Sequence, residues 1–300
     1  MDPKNIEIYD NVVDEKTLYI LKEIITHKKN NNEGLQQKNS SYTLRNMLID
    51  RTKPIECSVC LFLHRLLLEL GDNTKYIEYW IHIDNTGIGF HRDCDDELLS
   101  ETNKLILPEK AHILYLDNDV YCPTMILNND TDNNTDNNTK NNTKNNMIMC
   151  PNISGRLTRF DGNLYHSVGI PEINFNNKFK KMNRNVILFN TWNEENYKLS
   201  TFPNNKNNFC YSNTYEMKCN PFLNWKNIDP IINNSEMYDY KLLFKFLRKT
   251  DSRKIENYTS CFNEQQIENG YFGFCMSSEI IDHYNKREIC PLLIKVMIDN

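Results

Sequence analysis

The apolar and polar positions of this chain follow two periods. From Asp14 to Ile25 the spacing is helical: Leu18, Ile20, Leu21, Ile24 and Ile25 form one stripe, and Asp14 is placed to cap the first turn. A second helical stretch begins near Pro54, runs to Leu70 and is stopped by Gly71-Asp72-Asn73. From Tyr76 the period shortens to two, with strands expected over 76–83, 111–116, 123–127, 157–160 and 186–192. A short strand over 5–9 precedes the first helix. Helices followed by a series of short strands predict an α+β chain in which a β-barrel or sandwich is buttressed by N-terminal helices. Beyond Trp192 the pattern weakens. Tyr240–Lys249 and Ser277–Asp299 read as helical, the latter broken near Pro291, so the C-terminal extension is expected to be partly helical.

Two polar tracts interrupt these periods. Residues 28–41 read as an Asn/Gln-rich loop, and 128–146 as an Asn/Thr/Asp/Lys insertion that cannot bury apolar area and is expected to be disordered. The insertion falls between two strands, where a loop is absorbed at little entropic cost. With it set aside, 39% hydrophobic content suffices for a core. The expected division is a domain over 1–195 and an extension of unassigned role over 196–300.

Composition narrows the function classes. A net charge of −5 gives no reason to expect a nucleic-acid partner. The N-terminus opens directly into charged residues without an apolar h-region, and no apolar run approaches the length of a membrane span. No membrane partner is therefore expected, and the expectation is a cytoplasmic or nuclear protein. Ten cysteines are scattered without a disulfide framework. Cys57 and Cys60 are expected as reduced thiols on one face of an apolar helix, because a zinc site needs a second pair nearby.

The candidate chemistry lies in three separated clues. His91-Arg92-Asp93 follows an apolar stretch, and in a strand His91 and Asp93 would share a face. Gly87 and Gly89, just before, allow a close backbone approach. His166 follows a tight Asp161-Gly162 turn, and Arg184 opens the apolar run to Trp192. Two histidines and one carboxylate are the ligand set of a non-haem Fe(II) facial triad. A downstream Arg on an otherwise apolar face, shared with Val186 and Leu188, needs a carboxylate partner. A rival pair, His82 and Asp84, has the same spacing as His91 and Asp93. An inward His on an aromatic strand is more often a packing residue than a ligand.

At Phe90-His91-Arg92-Asp93, Ile113 to Leu116, Cys122-Pro123-Thr124, Phe160-Asp161-Gly162 with His166, and Arg184 through Trp192, the chain resembles the Fe(II)/2-oxoglutarate dioxygenase superfamily, closest to its prolyl-hydroxylase-like branch. The resemblance covers roughly residues 5–195 and is strongest over 76–97, 111–126 and 155–192. It implies a double-stranded β-helix, or jelly roll. By it His91, Asp93 and His166 would hold Fe(II), with no catalytic residue beyond these ligands. Arg184 would pair with the distal carboxylate of 2-oxoglutarate, and Tyr115 would lie on a strand that often contacts that co-substrate. It also implies O2 as the second co-substrate, ascorbate as a candidate reductant, and a protein or peptide side chain as the substrate. The chain departs from the pattern in three places. Asp95, Asp96 and Glu97 crowd acid after the ligand pair. The Lys that collagen-type prolyl hydroxylases carry after the distal His is not at that spacing. Asn190 stands where DNA-alkyl-repair members carry a second Arg. Two other readings stay open at this point: a non-catalytic binding module on the same barrel, and another cupin-like metal enzyme using His82 as an additional ligand.

Overall fold

The computed structural model describes residues 5–31, 35–38, 41–83, 88–129, 144–168, 170–171, 184–193, 215–229, 231–232, 238–239, 244–247, 255–256, 274–276 and 292–297. In chain order the elements up to Trp192 are β1 (Ile6–Asp10), α1 (Glu15–Asn31), β2 (Leu35–Lys38), β3 (Ser41–Asp50), α2 (Ser58–Glu69), β4 (Tyr76–Ile83), β5 (Ile88–His91), α3 (Asp96–Thr102), β6 (Lys110–Tyr115), β7 (Asp119–Asn129), β8 (Lys144–Asn152), β9 (Leu157–Asp161), β10 (His166–Val168), β11 (Ile170–Pro171) and β12 (Val186–Trp192). After them come β13 (Lys226–Asn227), β14 (Ile231–Ile232), β15 (Tyr238–Asp239), β16 (Phe244–Leu247), β17 (Ile255–Glu256), β18 (Phe274–Met276) and β19 (Leu292–Met297).

Helices α1 and α2 form for the reasons their sequences give. The Asp14 carboxylate accepts the Thr17 backbone N–H at 2.6 Å and caps α1. Ile20, Leu21, Ile24 and Ile25 are buried along one side, while Tyr19 on the other is exposed. In α2, Val59, Phe62, Leu63, Leu66 and Leu67 are buried. The helix ends where Gly71 takes a left-handed φ of 68° and the Asp72 N–H closes onto the Leu67 carbonyl at 2.9 Å. Pro54 lies outside α2, which begins at Ser58 with Cys57 at its N-cap.

One sheet runs β13-β1-β9-β6-β12-β4-β3-β2, and a second runs β14-β19-β8-β7-β10-β5 with β15 also on β19. Pairings from β1 to β10 and with β12 are antiparallel, including β12 between β4 and β6. Alternation along the strands divides the core. Ile77, Tyr79, Ile81 and Ile83 of β4, with Ile187 and Phe189 of β12, pack against α1 and α2. The opposite face presents Ile113, Tyr115, Phe160, Val186 and Leu188 to Ile126, Ile148 and Cys150 of the second sheet. The result is a mostly β, jelly-roll-like sandwich with α1 and α2 on one outer face.

Several expectations change. The loop expected over 28–41 contains the end of α1 and the strand β2. The Asn-rich tract is extended at both ends: β7 runs to Asn129 and β8 starts at Lys144, paired Asn129↔Asn145, and the rest of the tract lies outside the described residues. The helices expected over Tyr240–Lys249 and Ser277–Asp299 are not present at their described residues. Phe244–Leu247 is the strand β16, and Leu292–Met297 is the strand β19, lying antiparallel along β8 from Leu292↔Met149 to Met297↔Lys144. The open edge of β8 offers a ladder of backbone groups, and tertiary pairing overrides the helical spacing of these apolar residues.

Candidate functional site

His91 ends β5 and His166 begins β10, and the two residues are directly paired across the antiparallel ladder. The ladder shifts register between His166 and Val168, an irregularity of the kind that re-aims a side chain. Asp93 stands two residues beyond β5, outside regular structure. The Nε2 atom of His91 lies 3.6 Å from one Asp93 oxygen, and the Nε2 atom of His166 lies 3.7 Å from the other. All three ligand atoms fall within 4.8 Å of one another. Three donors on one face of a metal, each at about 2.1 Å, would be separated by roughly 3 Å, so a small contraction brings this set onto an ion. His82 is not part of this group, and its rival partner Asp84 lies outside the described residues.

The protonation states suit ligation. Burial, and then the charge of His91, push the His166 imidazole down to about 4, so it is neutral at pH 7. Its Nδ1 faces the Leu164 carbonyl at 3.4 Å. A carbonyl only accepts, so Nδ1 carries the proton and the Nε2 lone pair is left toward Asp93. The Asp93 carboxyl is opposed by burial but held well below the usual carboxylate range by His166, by His91 and by the buried Asn190 amide. His166 also packs on Phe160 at 5.0 Å, which fixes its ring plane. His91, 35% exposed, marks the open side of the group, since His166 is only 6% exposed.

Arg184, just before β12, is buried together with Val186 and Leu188. Its Nη2 donates to Thr124 Oγ1 at 3.1 Å, and the Tyr115 hydroxyl donates to the same oxygen at 2.7 Å. Arg184 and Tyr115, separated by most of the strand sequence, are thus joined through a threonine of β7. Burial pushes the Tyr115 hydroxyl up, so it stays a neutral donor. Burial first, then the charges of Arg184 and His91, push the His82 imidazole down to about 3. Arg184, the His-Asp-His group and the neutral His82 imidazole are therefore within electrostatic reach of one another. Thr124 belongs to the Cys122-Pro123-Thr124 phrase that carries the resemblance, but the sequence assigned it no role of its own.

No family model matches the sequence, and no curated protein matches it. Among solved structures the chain is similar to a Pseudomonas putida prolyl-4-hydroxylase, with 11% identity and a TM-score of 0.40 over 63% of this chain and 93% of that one. It is also similar to HygX from Streptomyces hygroscopicus with nickel and 2-oxoglutarate bound, with 11% identity and a TM-score of 0.38 over 63% and 83% of the two chains. A third is SnoN, a non-haem alpha-ketoglutarate-dependent epimerase from nogalamycin biosynthesis, with 9% identity and a TM-score of 0.39 over 70% and 89%.

Proposed function

We propose that this chain is an Fe(II)- and 2-oxoglutarate-dependent dioxygenase built on a double-stranded β-helix spanning residues 1–195, hydroxylating a protein side chain. The observation that carries the proposal is the convergence of His91, Asp93 and His166, with a buried Arg184 within electrostatic reach of His166. The interleaving of β4 to β10 and β12 between two sheets supports the jelly roll. The protein substrate follows from the prolyl-hydroxylase-like resemblance of 76–97, 111–126 and 155–192.

His91, Asp93 and His166 would hold the iron, with two neutral imidazole nitrogens and one carboxylate on one face and open positions on the other. Bound there, iron supplies the coupling of O2 to oxidative decarboxylation, so that 2-oxoglutarate, O2 and a substrate C–H give succinate, CO2 and a C–OH. Arg184 binds the distal carboxylate by charge-assisted hydrogen bonds. Thr124 fixes the direction of that guanidinium and couples it to Tyr115, which orients the co-substrate without exchanging a proton. The apolar interior formed by Ile113, Ile126, Val186 and Leu188 excludes water from the co-substrate. The protein substrate approaches from the exposed side of His91.

His91→Ala and Asp93→Ala are expected to abolish succinate formation from 2-oxoglutarate, a loss above about a hundredfold, while circular dichroism stays unchanged. Retained turnover in both variants would remove the assignment. Iron binding without decarboxylation in the wild type would favour a binding module on the same fold.

A further inference from the structure

Asp93 is the one member of the triad with no strand to hold it. It lies in the segment between β5 and α3, and the β5–β10 ladder beside it is short and irregular. Downstream the segment is tied: the Asp95 N–H donates to the Ile106 carbonyl at 3.1 Å, and the Asp95 carboxylate caps α3 by accepting the Leu98 N–H at 2.9 Å. Upstream the tie comes from Arg92. Its guanidinium lies over the ring of Tyr165, 4.5 Å from the centroid. Tyr165 immediately precedes His166, is buried, and is itself anchored because its carbonyl accepts the Leu127 N–H of β7 at 2.9 Å. One cation–π contact therefore joins the residue between His91 and Asp93 to the residue before His166.

We infer that Arg92 and Tyr165 form a clasp, through the residues adjacent to the triad, that presets the spacing of Asp93 and His166 before metal binds. This rests on the metal-site reading above. Both are positioning residues: neither touches the metal, and their contribution is to reduce the ordering that ligation would otherwise require. Without the stack the 92–94 segment loses one of its ties, and binding must then gather Asp93 from a wider range of positions.

The test is titration of the full chain with Co(II), followed by its visible d–d absorption, in wild type, Arg92→Ala, Tyr165→Leu, the double variant and Tyr165→Phe, with thermal melting recorded on each. Arg92→Ala is expected to weaken Co(II) affinity about fivefold with little change in melting temperature, since Arg92 is partly exposed. The double variant is expected to bind no more weakly than the weaker single variant, because the two side chains act as a pair. Tyr165→Phe keeps the ring and is expected to retain wild-type affinity, which also covers a failure of Tyr165→Leu to fold. Wild-type affinity in Arg92→Ala, or additive losses in the double variant, would overturn the clasp and leave the metal site standing. No Co(II) binding by the wild type would overturn both.

Discussion

His112 shows how a single side chain sets a property of the whole fold. It sits on β6, fully buried, with its ring stacked on Phe189 at 4.4 Å and its Nδ1 donating to the Phe189 carbonyl at 3.2 Å. Its Nε2 has no hydrogen-bond partner among the described residues. Burial first, then the charge of Arg159, push it down to about 3, against the weaker pull of Asp72. The folded protein therefore keeps this imidazole neutral, whereas the unfolded chain protonates it near pH 6.5. Unfolding takes up a proton, so stability is full above about pH 6.5 and falls as the pH drops toward 3. The His112 share of that slope approaches about 1.4 kcal/mol per pH unit. Urea unfolding of metal-free protein between pH 7 and 5 should show the decline, to which His82 and His166 also contribute, and His112→Gln should reduce it by the His112 share; an unchanged slope in the variant would contradict this assignment. None of this was legible in the sequence, where His112 is one polar letter in an apolar strand. His91, Asp93 and His166 were legible as a group because ligand chemistry leaves a spacing, a glycine context and an order along the chain. Thr124 was not, because a threonine in a strand signals packing as readily as a hydrogen bond.

At the scale of elements, the turn between β9 and β10 delivers His166, and it leaves no room for change. The Gly162 N–H donates to the Glu109 carbonyl at 3.3 Å, and the Leu164 N–H closes onto the Asp161 carbonyl at 3.0 Å. A Cβ at Gly162 would overlap the carbonyl of Pro108, a backbone group that cannot swing aside. Gly162→Ala is expected to cost about 2 kcal/mol and to weaken Co(II) binding as the turn shifts, measured by urea unfolding and by the same titration. Unchanged stability and affinity would show that the loop before β6 yields. The elements with a strong period, α1, α2, β4, β6, β9 and β12, were legible with boundaries displaced by a few residues. Those read differently share a cause. The inner end of β8 is Asn-rich and β2 is Gln-rich, so composition pointed to loops where neighbouring strands supply the pairing. The apolar residues of β19 fit a helix equally well in isolation, and the free edge of β8 decides between the two.

At the scale of the molecule, residues from beyond 195 extend both sheets: β13 pairs with β1, and β19 with β8. Such long-range pairing has no local signature, which is why residues 244–247 and 292–297 read as helical in sequence and are strands in the structure. No described helix is long and apolar enough to cross a membrane. The account of the molecule as a whole depends on one coincidence in space: a His-Asp-His group within electrostatic reach of a buried Arg184 that is hydrogen-bonded through Thr124 to Tyr115. The most direct measurement is an anaerobic titration of 2-oxoglutarate into Fe(II)-loaded protein, watching for the visible metal-to-ligand charge-transfer band, with Arg184→Ala and Thr124→Val in parallel. The account predicts a band in the wild type, its loss or severe weakening in Arg184→Ala, and roughly tenfold weaker 2-oxoglutarate affinity in Thr124→Val, where the guanidinium loses its hydrogen-bonded support. Bound iron with no band in the wild type, or an equal band in Arg184→Ala, would contradict it.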